Sequence, residues 1–130
     1  MKILVVEDNQ IASLVLRRFL LQLGYHDITE ATNGQEALRH LERRHFEMVI
    51  TDWMMPKLDG LTLVRHIRAR EGRQKIPILM VTAKGLETDI YQAIDAGIDD
   101  YIVKPLRLDL LKAKIEKLRQ QASERDSQPA

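Results

Sequence analysis

The chain has 130 residues, is 45% hydrophobic and 30% charged, and carries 20 Lys and Arg against 19 Asp and Glu, a net charge of +1. That length fits one domain, and that charge balance gives no reason to expect nucleic acid or a membrane surface as partner. There is no cysteine, so disulfides and thiolate metal sites are excluded and a reducing, cytoplasmic setting is expected. The first residues turn acidic too soon for a signal peptide, and no apolar run approaches the roughly 20 residues of a membrane span.

Short apolar runs bounded by polar residues, Gly or Pro read as strands buried on both faces. Apolar residues three and four apart read as helices with one side against a sheet. Ile3 to Val6 is the first strand. Ile11, Val15, Phe19 and Leu23, with Leu16 and Leu20 beside them, predict a helix capped by Asn9 and ended at Gly24. Asp27 to Ala31 alternates and reads as an edge strand. Ala37, Leu38 and Leu41 form a shorter stripe begun by Asn33, with Glu36 three residues on as in a capping box. Met48 to Ile50 is the third strand, followed by a helix on Leu61, Val64 and Ile67. Ile78 to Val81, opened by Pro77, precedes a helix on Ile90, Ala93 and Ile94 that ends at Gly97. Tyr101 to Val103, followed by Pro105, precedes the last helix on Leu108, Leu111, Ile115 and Leu118. Strand and helix thus alternate five times, which predicts an α/β fold with parallel strands, right-handed crossovers and helices on both faces. One domain is expected over residues 1–120, with a polar flexible tail or linker stub over 121–130.

In an open parallel sheet the ligand crevice lies at the carboxyl ends of the strands. Glu7 and Asp8 follow the first strand, Asp52 the third and Lys104 the fifth, while Thr82 ends the fourth. Each alone has an ordinary reading as a solvated loop acid, a surface amine or a turn hydroxyl. All of them at strand ends of one chain point to a site. Clustered carboxylates repel, and an oxygen-only set without His or Cys suits Mg²⁺, Mn²⁺ or Ca²⁺ rather than zinc. An incomplete cage that keeps waters suits Mg²⁺ next to a phosphate. An Asp carboxylate accepts a phosphoryl group as an acyl phosphate, whose oxygens Mg²⁺, the Lys104 ammonium and the Thr82 hydroxyl would neutralise and bond.

Taken together, these residues resemble the receiver domain of bacterial response regulators, most closely the single-domain chemotaxis type. The likeness rests on the run Ile3 to Asn9 with its acidic pair, and on Asp52 followed by Trp53, Met54, Met55 and Pro56, then Asp59 and Gly60. It rests also on Val81, Thr82 and Ala83, and on Tyr101, Ile102, Val103, Lys104 and Pro105. It implies a flavodoxin-like (βα)5 three-layer sandwich with a five-stranded parallel sheet in the order 2-1-3-4-5. It implies that Asp52 is the phosphoacceptor, assisted by Lys104 and Thr82, and that Thr82 and Tyr101 form the switch. Mg²⁺, with Mn²⁺ as a substitute, would be held by Asp8, Asp52 and the Met54 backbone carbonyl, with Glu7 acting directly or through water. The Lys104–Pro105 peptide would be cis.

The resemblance further implies a switch of a two-component system or phosphorelay rather than a dedicated enzyme. Its chemistry is limited to Mg²⁺-dependent self-phosphorylation and self-dephosphorylation. The partners implied are a histidine kinase or histidine phosphotransfer protein, and a downstream target on the face of helix 4, strand 5 and helix 5. No membrane or nucleic acid partner is expected for this domain alone. Two departures modulate the rate. Met54 replaces the amide typical of the chemotaxis type, so hydrolysis of the acyl phosphate is expected to be slower. Lys84, two residues after Thr82, either attracts anionic donors or shields the phosphoryl group. Two other readings are a phosphorylation-independent pseudo-receiver and an aspartyl-nucleophile phosphatase; the latter needs a second Asp where Met54 stands. His26, His40, His45 and His66 show no metal spacing. Trp53 is expected at the site mouth, and the arginines around Arg65, Arg68 and Arg70 read as a solvated face.

Overall fold

The computed structural model describes residues 1–70 and 72–127. Five strands, β1 (Ile3–Val6), β2 (Ile28–Ala31), β3 (Met48–Thr51), β4 (Ile78–Thr82) and β5 (Asp100–Val103), alternate with five helices. These are α1 (Gln10–Gln22), α2 (Gly34–Arg43), α3 (Gly60–Ala69), α4 (Glu87–Ala96) and α5 (Leu108–Ser127). The strands form one parallel sheet in the order β2-β1-β3-β4-β5. The alternating β2 is indeed an edge, and β1, β3 and β4, with unbroken apolar runs, lie inside and are buried throughout. The run at β5 predicts burial on both faces, but β5 is the other edge and only Ile102 of it is fully buried, with Val103 41% exposed.

Because side chains alternate along a strand, each strand feeds two cores. Leu4, Val6, Val49, Ile78 and Met80 face α2, α3 and α4, where they meet Leu41, Leu63, Val64, Ile67 and Ala93. Ile3, Val5, Ile50, Leu79 and Ile102 face α1 and α5, where they meet Leu16, Leu20, Leu111 and Ile115. Full burial of each such side chain contributes about 1.5–3 kcal/mol. Local signals hold the helix ends. Asn9, Asn33 and Asp59 each accept a hydrogen bond from the backbone N–H three residues on. Gly24 and Gly97 follow α1 and α4 with φ of 95° and 120°.

Two further expectations differ from the structure. The α1 stripe is rotated: Leu16 and Leu20 are buried, while Ile11 is 75% and Val15 37% exposed. The first turns of α1 begin at the loop beyond the end of β1, where there is less sheet beneath them to cover. The polar segment from about residue 120 is helix as far as Ser127, not a flexible tail. Gln, Ala, Glu and Arg are good helix formers, and the first breaker, Pro129, comes only later. Residues 128–130 lie outside the described residues. Among the described residues, no helix is long and apolar enough to cross a membrane.

Candidate active site

Val6 and Thr51 are register partners on neighbouring strands, so the chain leaves β1 and β3 side by side. This brings Glu7 and Asp52 together, 6% and 8% exposed. Lys104 arrives from the end of β5, and its Nζ donates to Glu7 Oε1 and Asp52 Oδ2, each at 2.8 Å. The Lys104–Pro105 peptide is cis. The other Asp52 oxygen, Oδ1, accepts the Trp53 backbone N–H at 2.6 Å. Each acceptor oxygen therefore has its own donor, one fixed in the backbone and one on a mobile ammonium.

Two carboxylates share one ammonium, which leaves a net formal charge of −1 in a largely buried pocket. Burial pushes the Glu7 carboxyl up; the Lys104 hydrogen bond opposes this and the Asp52 charge adds to it. Burial alone would lower Lys104, but hydrogen bonds to Asp52 and Glu7 outweigh it and hold the ammonium above its usual range. Asp8 stays exposed. Among the described residues, no group of three or more His, Cys, Asp or Glu is drawn together as a finished metal cage. The donor chemistry still fits a hard cation: Glu7 and Asp52 converge within reach of one positive group, and every side-chain donor is oxygen.

The loop after Asp52 is tightly built. Leu58 N–H donates to Pro56 O at 2.8 Å and Lys57 has φ of 68°, which together make a γ-turn, a strained form for a residue with a Cβ. Gly60 N–H donates to Trp53 O at 2.8 Å. A Cβ at Gly60 would press on the Asp52 carbonyl oxygen and lie 2.9 Å from Trp53 Cα. The glycine is what lets α3 start against the acceptor's own backbone.

Thr82 is completely buried, and its Oγ1 accepts the Lys84 backbone N–H at 3.4 Å rather than meeting Asp52. The Tyr101 hydroxyl donates to the Lys84 carbonyl, so both switch candidates hold the same short loop between β4 and α4. Burial, then the charges of Asp89 and Asp52, push the Tyr101 hydroxyl up to about 12. Met54 is 60% exposed. Trp53 is not at the mouth: it is 3% exposed, because the two-residue strand period carries it onto the same core face as Val49. What covers it is the Lys84 ammonium, 4.2 Å from the ring centroid and 4.0 Å from Asp89 Oδ1.

The structure thus gathers Glu7, Asp52 and Lys104 directly and ties Thr82 at the end of β4 and Tyr101 of β5 to Lys84 in the adjoining loop, leaving Asp8 and the Met54 side chain outward. Asp89 and the Trp53 N–H were not foreseen. The second is a backbone group invisible to residue type, and the first sits in α4 at a distance no local spacing rule connects to Lys84. An apolar cavity of about 250 Å³, walled by Val15, Ile50, Val81 and Pro105, adjoins the three charged groups.

Residues 3–116 match the family described as response regulator receiver domain. The chemotaxis protein CheY of Pseudomonas aeruginosa is 40% identical over 118 residues, 91% of this chain and 95% of that protein. The chemotaxis protein CheY1 of Helicobacter pylori is 40% identical over 89% of this chain and 94% of its own. Among solved structures, the receiver domain of a Pseudomonas aeruginosa sensor histidine kinase, with a magnesium ion coordinated in its active-site cleft, superposes with a TM-score of 0.81. It is 34% identical, covering 94% of this chain and 97% of that one. The chemotaxis response regulator CheY4 of Vibrio cholerae superposes with a TM-score of 0.84 at 26% identity, covering 90% and 97%. With its sheet order, its charged strand ends and these relatives in agreement, the chain belongs to the response regulator receiver domain family, in its CheY-like, two-component form.

Proposed function

We propose that this protein is a switch driven by phosphorylation of Asp52. The observation that carries the reading is the Lys104 ammonium shared by Glu7 and Asp52 at 2.8 Å each. A carboxylate held between a fixed N–H and a mobile cation is oriented to attack yet retains a charge partner for the oxygens it acquires. An Asp52 oxygen attacks the phosphorus of a phosphohistidine on a histidine kinase or histidine phosphotransfer protein. The new P–O bond forms as the P–N bond breaks, and the electron pair leaves on the imidazole. Lys104 then turns from the carboxylate to a phosphoryl oxygen. Mg²⁺, or Mn²⁺ in its place, would be held by Asp8, Asp52 and the Met54 carbonyl, with Glu7 directly or through water, and supplies positive charge against the phosphoryl oxygens.

The readout follows from the loop between β4 and α4. Thr82 exchanges the Lys84 N–H for the phosphoryl group, and Tyr101 releases the Lys84 carbonyl and turns inward. Both changes act on one short segment, which biases two packings of the α4, β5 and α5 face. That face already leaves Leu86, Tyr91, Ile94 and Val103 exposed, between 41% and 70%, an apolar patch suited to a protein target. The receiver unit is taken as residues 1–120.

Intact-mass measurement after incubation with acetyl phosphate and Mg²⁺ tests the reading. One added phosphoryl group on the wild type, none on Asp52→Asn and none without the metal is the expected result. Equal labelling of Asp52→Asn overturns it by moving the acceptor to another residue, and an inert wild type overturns it and leaves a pseudo-receiver.

A further inference from the structure

The opposite end of the sheet carries a second, unassigned feature. Two hollows of about 460 and 330 Å³ lie where the chain enters β3 and β4, and they share His45, Phe46, Gly72 and Ile76 as a common wall. Lys75, Arg119 and Arg125 line the larger one; Arg43, Arg44, Arg70 and Arg73 line the smaller. Against these seven cations the described lining holds two acids, Glu47 and Glu42. Glu42 pairs with Arg70 at 3.2 Å, and Glu47 accepts the backbone N–H of Lys2 at 3.0 Å. Glu71, next to Arg70 in sequence, lies outside the described residues. The chain as a whole is nearly neutral, so this pole concentrates positive charge that the composition conceals.

Three of the cations are held in place by neighbouring groups. Arg73 donates to the Leu41 carbonyl, and Arg125 donates to the Lys75 carbonyl at 3.2 Å. Arg119 lies 5.5 Å from the Tyr25 ring centroid and donates to its hydroxyl. Arg43, Arg44 and Lys75 make no ion pair among the described residues. Burial and the neighbouring Arg70 charge both hold the Arg73 guanidinium below its usual range, as a site short of anions would. Pre-positioned guanidinium forks recognise carboxylate or phosphate bidentately and lose little entropy in doing so.

We propose that this basic double hollow is a docking site for an extended acidic peptide of a partner protein. Shape and composition favour that occupant over nucleic acid. A concave surface does not enter a duplex groove. A single strand needs aromatic faces for its bases, yet Phe46 is 2% exposed and Arg119 covers Tyr25. Spaced carboxylate side chains along an extended backbone reach both hollows with no such requirement. Glu47 and Asp52 lie five residues apart along β3, about 16 Å at about 3.3 Å per residue. Neither hollow is lined by Asp52 or by a residue that bonds it. Docking here needs no phosphoryl group on Asp52, and tethers a partner without reporting the switch.

Fluorescence anisotropy of a labelled oligoglutamate against the full chain tests this, with oligolysine and single-stranded DNA as parallel probes. Saturable binding of oligoglutamate alone, weakening as salt rises and unchanged in Asp52→Asn, is expected. Arg44→Glu with Lys75→Glu should weaken it about tenfold or more, while Lys112→Glu on exposed α5 should not. Arg43→Gln, which removes charge without reversing it, should give a smaller loss in the same direction. Thermal melts establish that each variant is folded. No binding of oligoglutamate, equal binding by the double variant, or tighter binding of single-stranded DNA overturns the proposal. None of these outcomes bears on phosphorylation of Asp52.

Discussion

Both ends of the sheet hold a long cation in a partly buried place, and they use it oppositely. At the amino end, Arg68 donates Nε to Gly97 O at 2.9 Å and Nη1 to Ile76 O at 2.6 Å and Gln74 O at 3.1 Å. Its Nη2 pairs with Asp99 at 2.8 Å, and the same Asp99 oxygen accepts the Ile78 N–H. At the carboxyl end, the Lys104 ammonium meets two carboxylates. Backbone carbonyls cannot change charge, so Arg68 closes three segments permanently. Carboxylates can be modified or protonated, so Lys104 sits in an arrangement built to be rearranged. The expectation that Arg68 belongs to a solvated face is corrected accordingly: it is a clasp between α3 and the loops before β4 and β5.

The sharpest way to break this contrast is to remove each cation. Arg68→Ala leaves several carbonyls and Asp99 without their donor and should cost about 3 kcal/mol in urea unfolding, with phosphoryl uptake retained while the protein is folded. Lys104→Met leaves Glu7 and Asp52 without their counter-ion and should cost about 1–3 kcal/mol in the absence of metal, a loss that Mg²⁺ should largely return, and it should abolish uptake from acetyl phosphate. If Mg²⁺ restores neither variant or both alike, the division between fixed and exchangeable partners fails.

The exchangeable site should also respond to what surrounds the acceptor. An exposed Met54 cannot orient water, so Met54→Asn is expected to shorten the lifetime of the acyl phosphate severalfold, read by decay of the labelled species. An unchanged or longer lifetime removes Met54 from the rate argument. Smaller again is the effect of charge at Asp52. With two carboxylates on one ammonium, Asp52→Asn should raise metal-free stability by about 1 kcal/mol and flatten the stabilisation that Mg²⁺ gives the wild type. A mutant that melts lower contradicts the residual negative charge assigned to the pocket.

Much of this was legible beforehand, for reasons the contrast explains. Strand ends are punctuated by abrupt changes from apolar to charged residues, so Glu7, Asp52, Thr82 and Lys104 announced themselves one by one. Their convergence followed from the parallel sheet. The amino end gave no such signal. Arg68 lies on a helix among other arginines, and its partners are mostly carbonyls, which every residue carries. The basic hollow draws its cations from position 43 to 125, a grouping that no window of sequence contains. The helical continuation past residue 120 and the burial of Trp53 were also misjudged: polarity was read as disorder, and proximity to Asp52 in sequence as proximity to solvent.

The smallest expected effect concerns the loop that carries the switch. Tyr101 bonds the Lys84 carbonyl, and burial with the nearby charges of Asp89 and Asp52 raises its hydroxyl to about 12 from 10.0. A raised pKa in the folded state means that the unfolded chain loses its proton first. The contribution of Tyr101 is therefore fully present below pH 10 and is lost as pH rises through about 12. Since the ring is only partly buried, solvent screens the effect, and it should appear as a shallow extra slope rather than a transition. Stability measured against alkaline pH for wild type and Tyr101→Phe isolates it: the difference should be constant up to about pH 10 and shrink above it. Phenolate absorbance of the folded wild type should show one late-titrating tyrosine that the variant lacks. If Tyr101→Phe leaves both the slope and the absorbance unchanged, the hydroxyl does not hold the Lys84 carbonyl, and the loop has no anchor at Tyr101 for phosphorylation to release.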